Sequence, residues 1–234
     1  MGQRAVITID GPAGSGKSTV GRLLAQRLGY QYLDSGALYR LVAWQAYREG
    51  LDPADQTALK ALLASLAPQL VADSQSFRIR LEGRELAGEL RTPEISRVAS
   101  QVAKVPEVRQ WVTERLRKLA KNGGVVAEGR DLGSVVFPQA QVKFYLDASL
   151  TVRAERRRRE WRDQGAETDL QATLTSLAER DRQDQNRQEA PLIMPAGAYY
   201  IDTSHLTPAE VVAYCLKVIA HNTSRKKQKE KYCQ

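Results

Sequence analysis

The residues best suited to chemistry stand near the start of the chain. Gly11-Pro12-Ala13-Gly14-Ser15-Gly16-Lys17-Ser18 matches the spacing G-x-x-x-x-G-K-[ST] in full. A loop that wraps a phosphate with backbone N–H groups must turn tightly and approach closely, which Gly11, Gly14 and Gly16 permit. The helix expected to begin near Lys17 directs its positive end at the same anion. Lys17 can reach the outer phosphates of a nucleotide, and the Ser18 hydroxyl can ligate magnesium. Gly11, Pro12, Ala13, Gly14, Ser15, Gly16, Lys17 and Ser18, with Thr19 beside them, are therefore the expected nucleotide-phosphate contacts.

A second set of residues points to a second anion. Arg40, Arg109, Arg130, Arg153, Arg156, Arg157, Arg180 and Arg187 lie in or next to expected loop ends and lid-like helices. Two phosphorylated molecules that meet head to head repel one another, and the fixed donor fork of arginine neutralises that repulsion well. The plain alternative for any single arginine is a solvated helix face. A switch GTPase would carry Asn-Lys-x-Asp to read guanine, and the chain lacks it.

The elements that must position these groups follow from periodicity. Ala5–Ile9 is a short β-branched run bounded by Asp10-Gly11-Pro12, a buried strand. Val20, Leu23, Leu24 and Leu28 recur as on a helix face, and Gly29 is a stop. Strand Tyr30–Leu33 and helix Ala37–Arg48 follow, so the first fifty residues read as a parallel α/β unit. Asp52–Leu66 reads as helix. Phe77–Gly83 then alternates apolar and charged residues with period two, and with Leu70–Val71 and Arg84–Leu90 it forms a small antiparallel insert. Pro93 and Pro106 each sit near a helix start. Val125–Ala127, Val142–Leu146 and Tyr199–Ile201 complete five parallel strands, with Leu150–Arg162, Leu170–Arg187 and Pro208–Ala220 as helices. The expected fold is α/β, a P-loop three-layer α/β/α with a five-stranded parallel sheet, a small antiparallel insert and a helical lid.

With 234 residues and 26% charged side chains, the chain fits one large domain that needs no disulfide to fold. The expected division is one domain over 1–223 and a basic, disordered tail over 224–234. That tail carries Arg225, Lys226, Lys227, Lys229 and Lys231 against Glu230, about half of the net charge of +8. Cys215 reads as a core residue and Cys233 as part of the tail. With His205 and His221 the only histidines, a zinc site is not expected. No signal-peptide run and no bilayer-spanning stretch stands out, so a cytoplasmic protein without a membrane partner is expected. Nothing demands an obligate interface, and a monomer is expected.

Taken together, the motifs resemble the bacterial cytidylate kinase family, nucleoside monophosphate kinases of the P-loop class, over roughly residues 4–220. The resemblance rests on Ile7–Ser18, on Leu33-Asp34-Ser35-Gly36-Ala37-Leu38-Tyr39-Arg40, and on Arg91-Thr92-Pro93-Glu94. It rests further on Ala99–Ala103, Val108-Arg109, Gly129-Arg130-Asp131-Leu132-Gly133 and Val135–Pro138. Glu179-Arg180-Asp181 and Asp184-Gln185-Asn186-Arg187 close the set.

The resemblance implies transfer of a phosphoryl group from ATP to CMP or dCMP with magnesium, in pyrimidine nucleotide metabolism. It gives Ser35, Arg40 and Arg130 to the CMP phosphate, Ser100, Arg109 and Asp131 to the cytosine edge, and Asp184 to the ribose. Lys17, Arg130, Arg180 and Arg187 would carry the catalysis, and Arg153 and Arg157 would belong to a lid closing over ATP. The family's acceptor-binding insert maps to about 37–105 and its lid to about 150–166. Bland readings stand beside these: Asp131 as a helix cap, Ser100 as a surface serine, Asp184 as the partner of a nearby arginine. Glu128 stands where the family often has Asp; its longer carboxylate could order magnesium through water but is not taken as a direct ligand, and Ser18 is the expected one. Other kinases of this fold act on AMP, UMP or shikimate. A P-loop nucleic-acid-binding protein with a basic tail is a reading from another class. No aromatic-interleaved basic strand favours it, and nucleic acid is not an expected partner.

Overall fold

The computed structural model describes residues 4–163, 165 and 168–232. Residues 1–3 of the expected domain, 164 and 166 of the expected lid and 233–234 of the tail lie outside the described residues. Five parallel strands form the main sheet: β1 (Val6–Asp10), β2 (Gln31–Asp34), β6 (Val125–Gly129), β7 (Val142–Asp147) and β8 (Tyr199–Asp202). Their order is β2-β6-β1-β7-β8, so β1 lies centrally between two strands contributed by the second half of the chain.

Side chains alternate across the sheet, and each face carries its own helices. On one face Ile7, Ile9, Tyr32, Val126 and Phe144 pack with Val20 and Leu24 of α1 (Lys17–Leu28) and with Val211 and Cys215 of α8 (Pro208–Tyr232). On the other, Leu33, Val125 and Ala127 pack with α2 (Ser35–Arg48), α4 (Pro93–Val102) and α5 (Pro106–Leu119). Pro93 and Pro106 stand in the first turns of α4 and α5, where no intrahelical N–H is needed.

The antiparallel insert is β3 (Gln69–Ala72), β4 (Phe77–Leu81) and β5 (Arg84–Leu86). Tyr32 N donates to Asp73 O at 2.8 Å, so the insert covers the free edge of β2. Three boundaries differ from expectation by more than two residues. The helix expected over 52–66 is α3 (Gln56–Ser65), because Asp55 caps it by accepting from Ala58 N at 3.0 Å. The strand expected through Leu90 stops at Leu86, and Gly88–Arg91 form a 3-10 turn. The last helix does not stop at Ala220: the backbone is helical through Tyr232, so α8 runs into the segment expected as a basic tail. Between Ala220 and Tyr232 there is neither glycine nor proline, and lysine, glutamine, glutamate and arginine are good helix formers. Among the described residues no helix is long and apolar enough to cross a membrane.

Candidate active site

All five parallel strands end on one rim, and four of them end in Asp: Asp10, Asp34, Asp147 and Asp202. The fifth, β6, ends in Glu128-Gly129. Crossovers diverge at this rim, where open α/β sheets hold their ligands. The rim opens into a cleft of about 580 Å³. Residues 13–19 form one wall, residues from α2, α4 and the β6 end form another, and α6 (Leu150–Asp163) and α7 (Leu170–Gln185) lean over both.

The phosphate loop takes its shape from close backbone packing. Gly11 has φ 143°, and a Cβ there would stand 1.9 Å from Leu146 O. Gly14 (φ 78°) lies against the Arg153 backbone, where a Cβ would approach to 2.9 Å. No side chain larger than hydrogen fits at either place. Lys17 is buried, and its Nζ donates to Pro12 O at 2.6 Å. Burial, with Arg130 next, pushes its ammonium down to about 7, while Glu128 pulls the other way. Ser18 Oγ donates to Glu128 Oε1 at 2.6 Å, and Tyr32 OH donates to the same oxygen at 2.9 Å.

The opposite wall is a network of ion pairs. Arg130 Nε bonds Asp184 Oδ2 and Arg187 Nη2 bonds Asp184 Oδ1, each at 2.9 Å. Burial alone would raise the Asp184 carboxyl, but Arg130, Arg180 and Arg187 hold it below its ordinary value. Arg40 Nη2 pairs with Asp34 Oδ2 at 2.8 Å, and the other oxygen of Asp34 caps α2 through Ala37 N. Ser35 Oγ donates to Glu128 O at 2.8 Å. Arg180 is different: among the described residues it has no side-chain hydrogen bond or ion pair, its Nε is buried without a partner, and burial followed by Arg130 pushes its guanidinium down to about 9. An unpartnered buried arginine among other arginines is a strong place for an anion.

Asp131 follows β6 and pairs with Arg109, both side chains buried. Arg109 Nη1 also donates to Ala103 O at 3.1 Å, and its guanidinium lies over the Tyr39 ring. Asp131 lines the cleft without capping the π-helical turn Leu132–Val136, so the capping reading fails. Beneath it, Asp10 is fully buried and accepts from Leu132 N at 2.8 Å and Gly133 N at 2.7 Å. Ser100 Oγ donates to Ser96 O at 3.2 Å and lines the cleft from α4.

Most of the expected residues therefore meet in one cleft: Ala13 to Thr19, Ser35, Arg40, Ser100, Arg130, Asp131, Arg157, Arg180, Asp184 and Arg187. Gly11 and Pro12 shape the loop from behind, and Arg109 stands behind Asp131. Arg153 departs from expectation. It is buried at the base of α6, donates to Ala148 O at 2.9 Å and Ala13 O at 3.2 Å, and pairs with Asp181 Oδ2 at 2.7 Å. Arg157 and Arg159, one turn or more further along α6, line the cleft in its place, and Arg156 lines it while also donating to Gly14 O at 3.5 Å and Thr203 O at 2.7 Å. A residue so near the loop backbone is consumed holding it. Sequence reasoning assigned no role to Asp10, Tyr32, Asp34 or Thr203. Asp34 was legible as a helix cap before Ser35, but the bond between Thr203 Oγ1 and Ser15 O spans 188 residues and has no local signal.

The residues fit a magnesium ion that arrives with a nucleotide. Ser18 and Glu128 offer a hydroxyl and a carboxylate side by side, hard oxygen donors of the kind magnesium takes. Among the described residues there is no cluster of three or more His, Cys, Asp or Glu able to hold a metal. Magnesium suits such a site because it keeps waters and phosphate oxygens as its remaining ligands.

Comparison with known proteins agrees with this geometry. A sequence model of the family described as cytidylate kinase matches residues 7–221. The chain is 45% identical over 207 residues to a cytidylate kinase of Pelotomaculum thermopropionicum, covering 88% of this chain and 92% of that one. It is 42% identical over 217 residues to a cytidylate kinase of Vibrio parahaemolyticus, covering 93% and 96%. Among solved structures, a gluconokinase from Sinorhizobium meliloti superposes with a TM-score of 0.51 at 18% identity, covering 98% of this chain and 99% of that one. That likeness speaks to the fold.

Proposed function

The chain belongs to the cytidylate kinase family and is a phosphotransferase, and from this premise we propose that it transfers the γ-phosphate of ATP to CMP and dCMP, giving ADP and CDP or dCDP. One observation carries the proposal. A single cleft joins the phosphate loop to an opposite wall holding Arg40, Arg130, Arg180 and Arg187, with Arg180 lacking a hydrogen-bond partner at Nε among the described residues.

In this reading Gly11 to Thr19 hold the ATP phosphates, with Lys17 on the outer pair. A CMP phosphate oxygen attacks the γ-phosphorus in line, and the bond to the β–γ bridging oxygen breaks. Ser35, Arg40 and Arg130 hold the CMP phosphate. Arg130, Arg180 and Arg187 neutralise charge where the two nucleotides meet. Arg130 and Arg187 both share Asp184, which keeps their forks oriented before any substrate arrives. Asp184 is also the candidate for the ribose hydroxyls. Asp131 and Ser100 meet the cytosine edge, with Arg109 acting through Asp131. Uracil reverses the polarity of two edge positions, so a buried carboxylate there discriminates against it. Magnesium, when bound with ATP, would be held by Ser18 with Glu128 beside it and would neutralise phosphate charge. Residues of about 37–105 form the acceptor-binding insert, and α6 is the described part of a lid, expected over about 150–166, that excludes water. A cytoplasmic monomer completes the proposal.

The test follows ADP release from ATP and magnesium with CMP, dCMP, UMP, AMP or shikimate, and with no acceptor. Strong turnover with CMP and little in the blank is expected. Turnover with a different acceptor alone would remove the cytosine-reading roles. Equal hydrolysis in every tube would remove the kinase reading for this chain.

A further inference from the structure

A phenol buried in the middle of a parallel strand is unusual, because its hydroxyl must find a partner away from water. Tyr32 is such a residue, 4% exposed on β2. The register pairs Tyr32 with Val126 and Asp34 with Glu128, which sets Tyr32 and Glu128 diagonally on the sheet face that α1 covers. A tyrosine ring spans that diagonal, and its hydroxyl reaches Glu128 Oε1 at 2.9 Å. Ser18 Oγ reaches the same oxygen at 2.6 Å. No described protein donor bonds the other oxygen of Glu128. Burial, followed by the charge of Glu128, raises the phenol's pKa well above 10, so the hydroxyl remains a donor.

The helix above is cut to admit this ring. Gly21 lies three residues after Ser18, on the same side of α1. A Cβ at Gly21 would stand 3.0 Å from Cε2 of Tyr32. Room for the ring and a partner for its hydroxyl are two separate features of the fold, and both concern one carboxylate oxygen beside the metal-binding serine.

We propose that Tyr32 is a positioning residue for phosphoryl transfer: its hydroxyl pins one oxygen of Glu128 beside Ser18, leaving the other to serve the magnesium ion that accompanies the nucleotide. The inference rests on the phosphotransfer reading above. Tyr32 itself touches neither substrate nor metal. Its effect passes through the carboxylate, as outer partners of metal ligands generally act.

The test is Tyr32→Phe, which keeps the ring and removes the hydroxyl, alongside Glu128→Gln. Manganese serves as the probe, its binding to the full-length enzyme with ADP titrated by its electron paramagnetic resonance signal. Tyr32→Phe should weaken manganese binding about tenfold and raise the magnesium concentration for half-maximal turnover by a similar factor. The KM for CMP should stay within about twofold, and turnover should recover at high magnesium, which a general packing defect would not allow. Weakened binding in Glu128→Gln but not in Tyr32→Phe would overturn the role of Tyr32 and leave the metal site standing. Unchanged binding in both would remove the Ser18–Glu128 metal reading as well. Should Tyr32→Phe fail to fold, Gly21→Ala carries the test, because it displaces the ring and keeps the hydroxyl. Weaker manganese binding there supports the proposal and unchanged binding overturns it.

Discussion

The two walls of the cleft are built on different principles. The phosphate loop is one contiguous stretch whose working surface is backbone, held by packing against Leu146 and Arg153. The opposite wall draws Arg40, Arg109, Arg130, Asp131, Asp184 and Arg187 from four segments and holds them by buried or half-buried ion pairs. A backbone cradle binds any polyphosphate, because its donors are N–H groups that do not depend on side-chain identity. An ion-pair wall can be shaped to one acceptor, but each member leaves a charge uncompensated when it is removed. In the proposed reaction, generality on the donor side and selectivity on the acceptor side would follow from that difference.

The largest effect that would sharpen the contrast lies on the donor wall. Lys17→Ala should reduce kcat by about 10³-fold, the scale of losing one preorganised donor to the transition state. CMP affinity, measured by calorimetry, should stay within about threefold. A variant that lost CMP affinity but kept normal single-turnover chemistry would dissolve the division between the walls.

On the acceptor wall the effects on function and stability should be joined. Asp131→Ala leaves Arg109 buried without its carboxylate, and loss of one member of such a pair costs about 3 kcal/mol in urea unfolding. The kcat/KM for CMP should fall about 100-fold at the same time, since a charged hydrogen bond contributes about 1.5–3 kcal/mol. Activity lost with stability intact would mean that Asp131 serves substrate alone and is not a strut.

The same contrast explains what could be read in the sequence. The loop is local, so its residues, the strand before it and the helix after it were all legible from spacing. The period-two insert and the five strands were legible for the same reason. The residues proposed for the acceptor were nameable only through a family resemblance, because no local rule brings Arg130 to Asp184 across 54 positions. Arg153 shows the limit of reading charge along a helix. It carries the same side chain as Arg157, but its place one turn nearer the loop directs it to Ala13 O and Asp181, whereas Arg157 bonds Glu160 and Ser96. The extension of α8 past Ala220 was obscured differently, since a run of lysines reads as solvated tail although the same residues favour helix.

Asp10 joins the two walls, and its ionisation gives a smaller effect. It precedes the phosphate loop in the chain and holds Leu132 N and Gly133 N just after Asp131. Burial pushes its carboxyl from 3.8 up to about 7, against the two amide bonds and Lys17, with Asp131 adding to the rise. Because the folded value is raised, the stabilisation from Asp10 is complete below 3.8 and is lost as pH rises through 7. Asp10→Asn cannot release that proton. Urea midpoints taken between pH 5 and 8 should therefore show the wild type losing stability relative to Asp10→Asn, by at most about 1.4 kcal/mol per pH unit. A constant difference across the window would mean that Asp10 stays ionised and the two walls are joined by charge.

The smallest effect concerns Ser100, and it bears on selectivity alone. Its hydroxyl already donates to Ser96 O, as serines inside helices often do, so removing it orphans no buried donor. What Ser100→Ala would take away is one neutral contact to the acceptor, worth about 1 kcal/mol or a factor of about 5. The kcat/KM for CMP should fall by that factor with stability and ATP kinetics unchanged, and the ratio of CMP to UMP turnover should narrow. If the ratio holds while both acceptors weaken together, Ser100 supports α4 and does not meet the base. Discrimination would then rest on Asp131, and selectivity would reside in the ion-pair network itself.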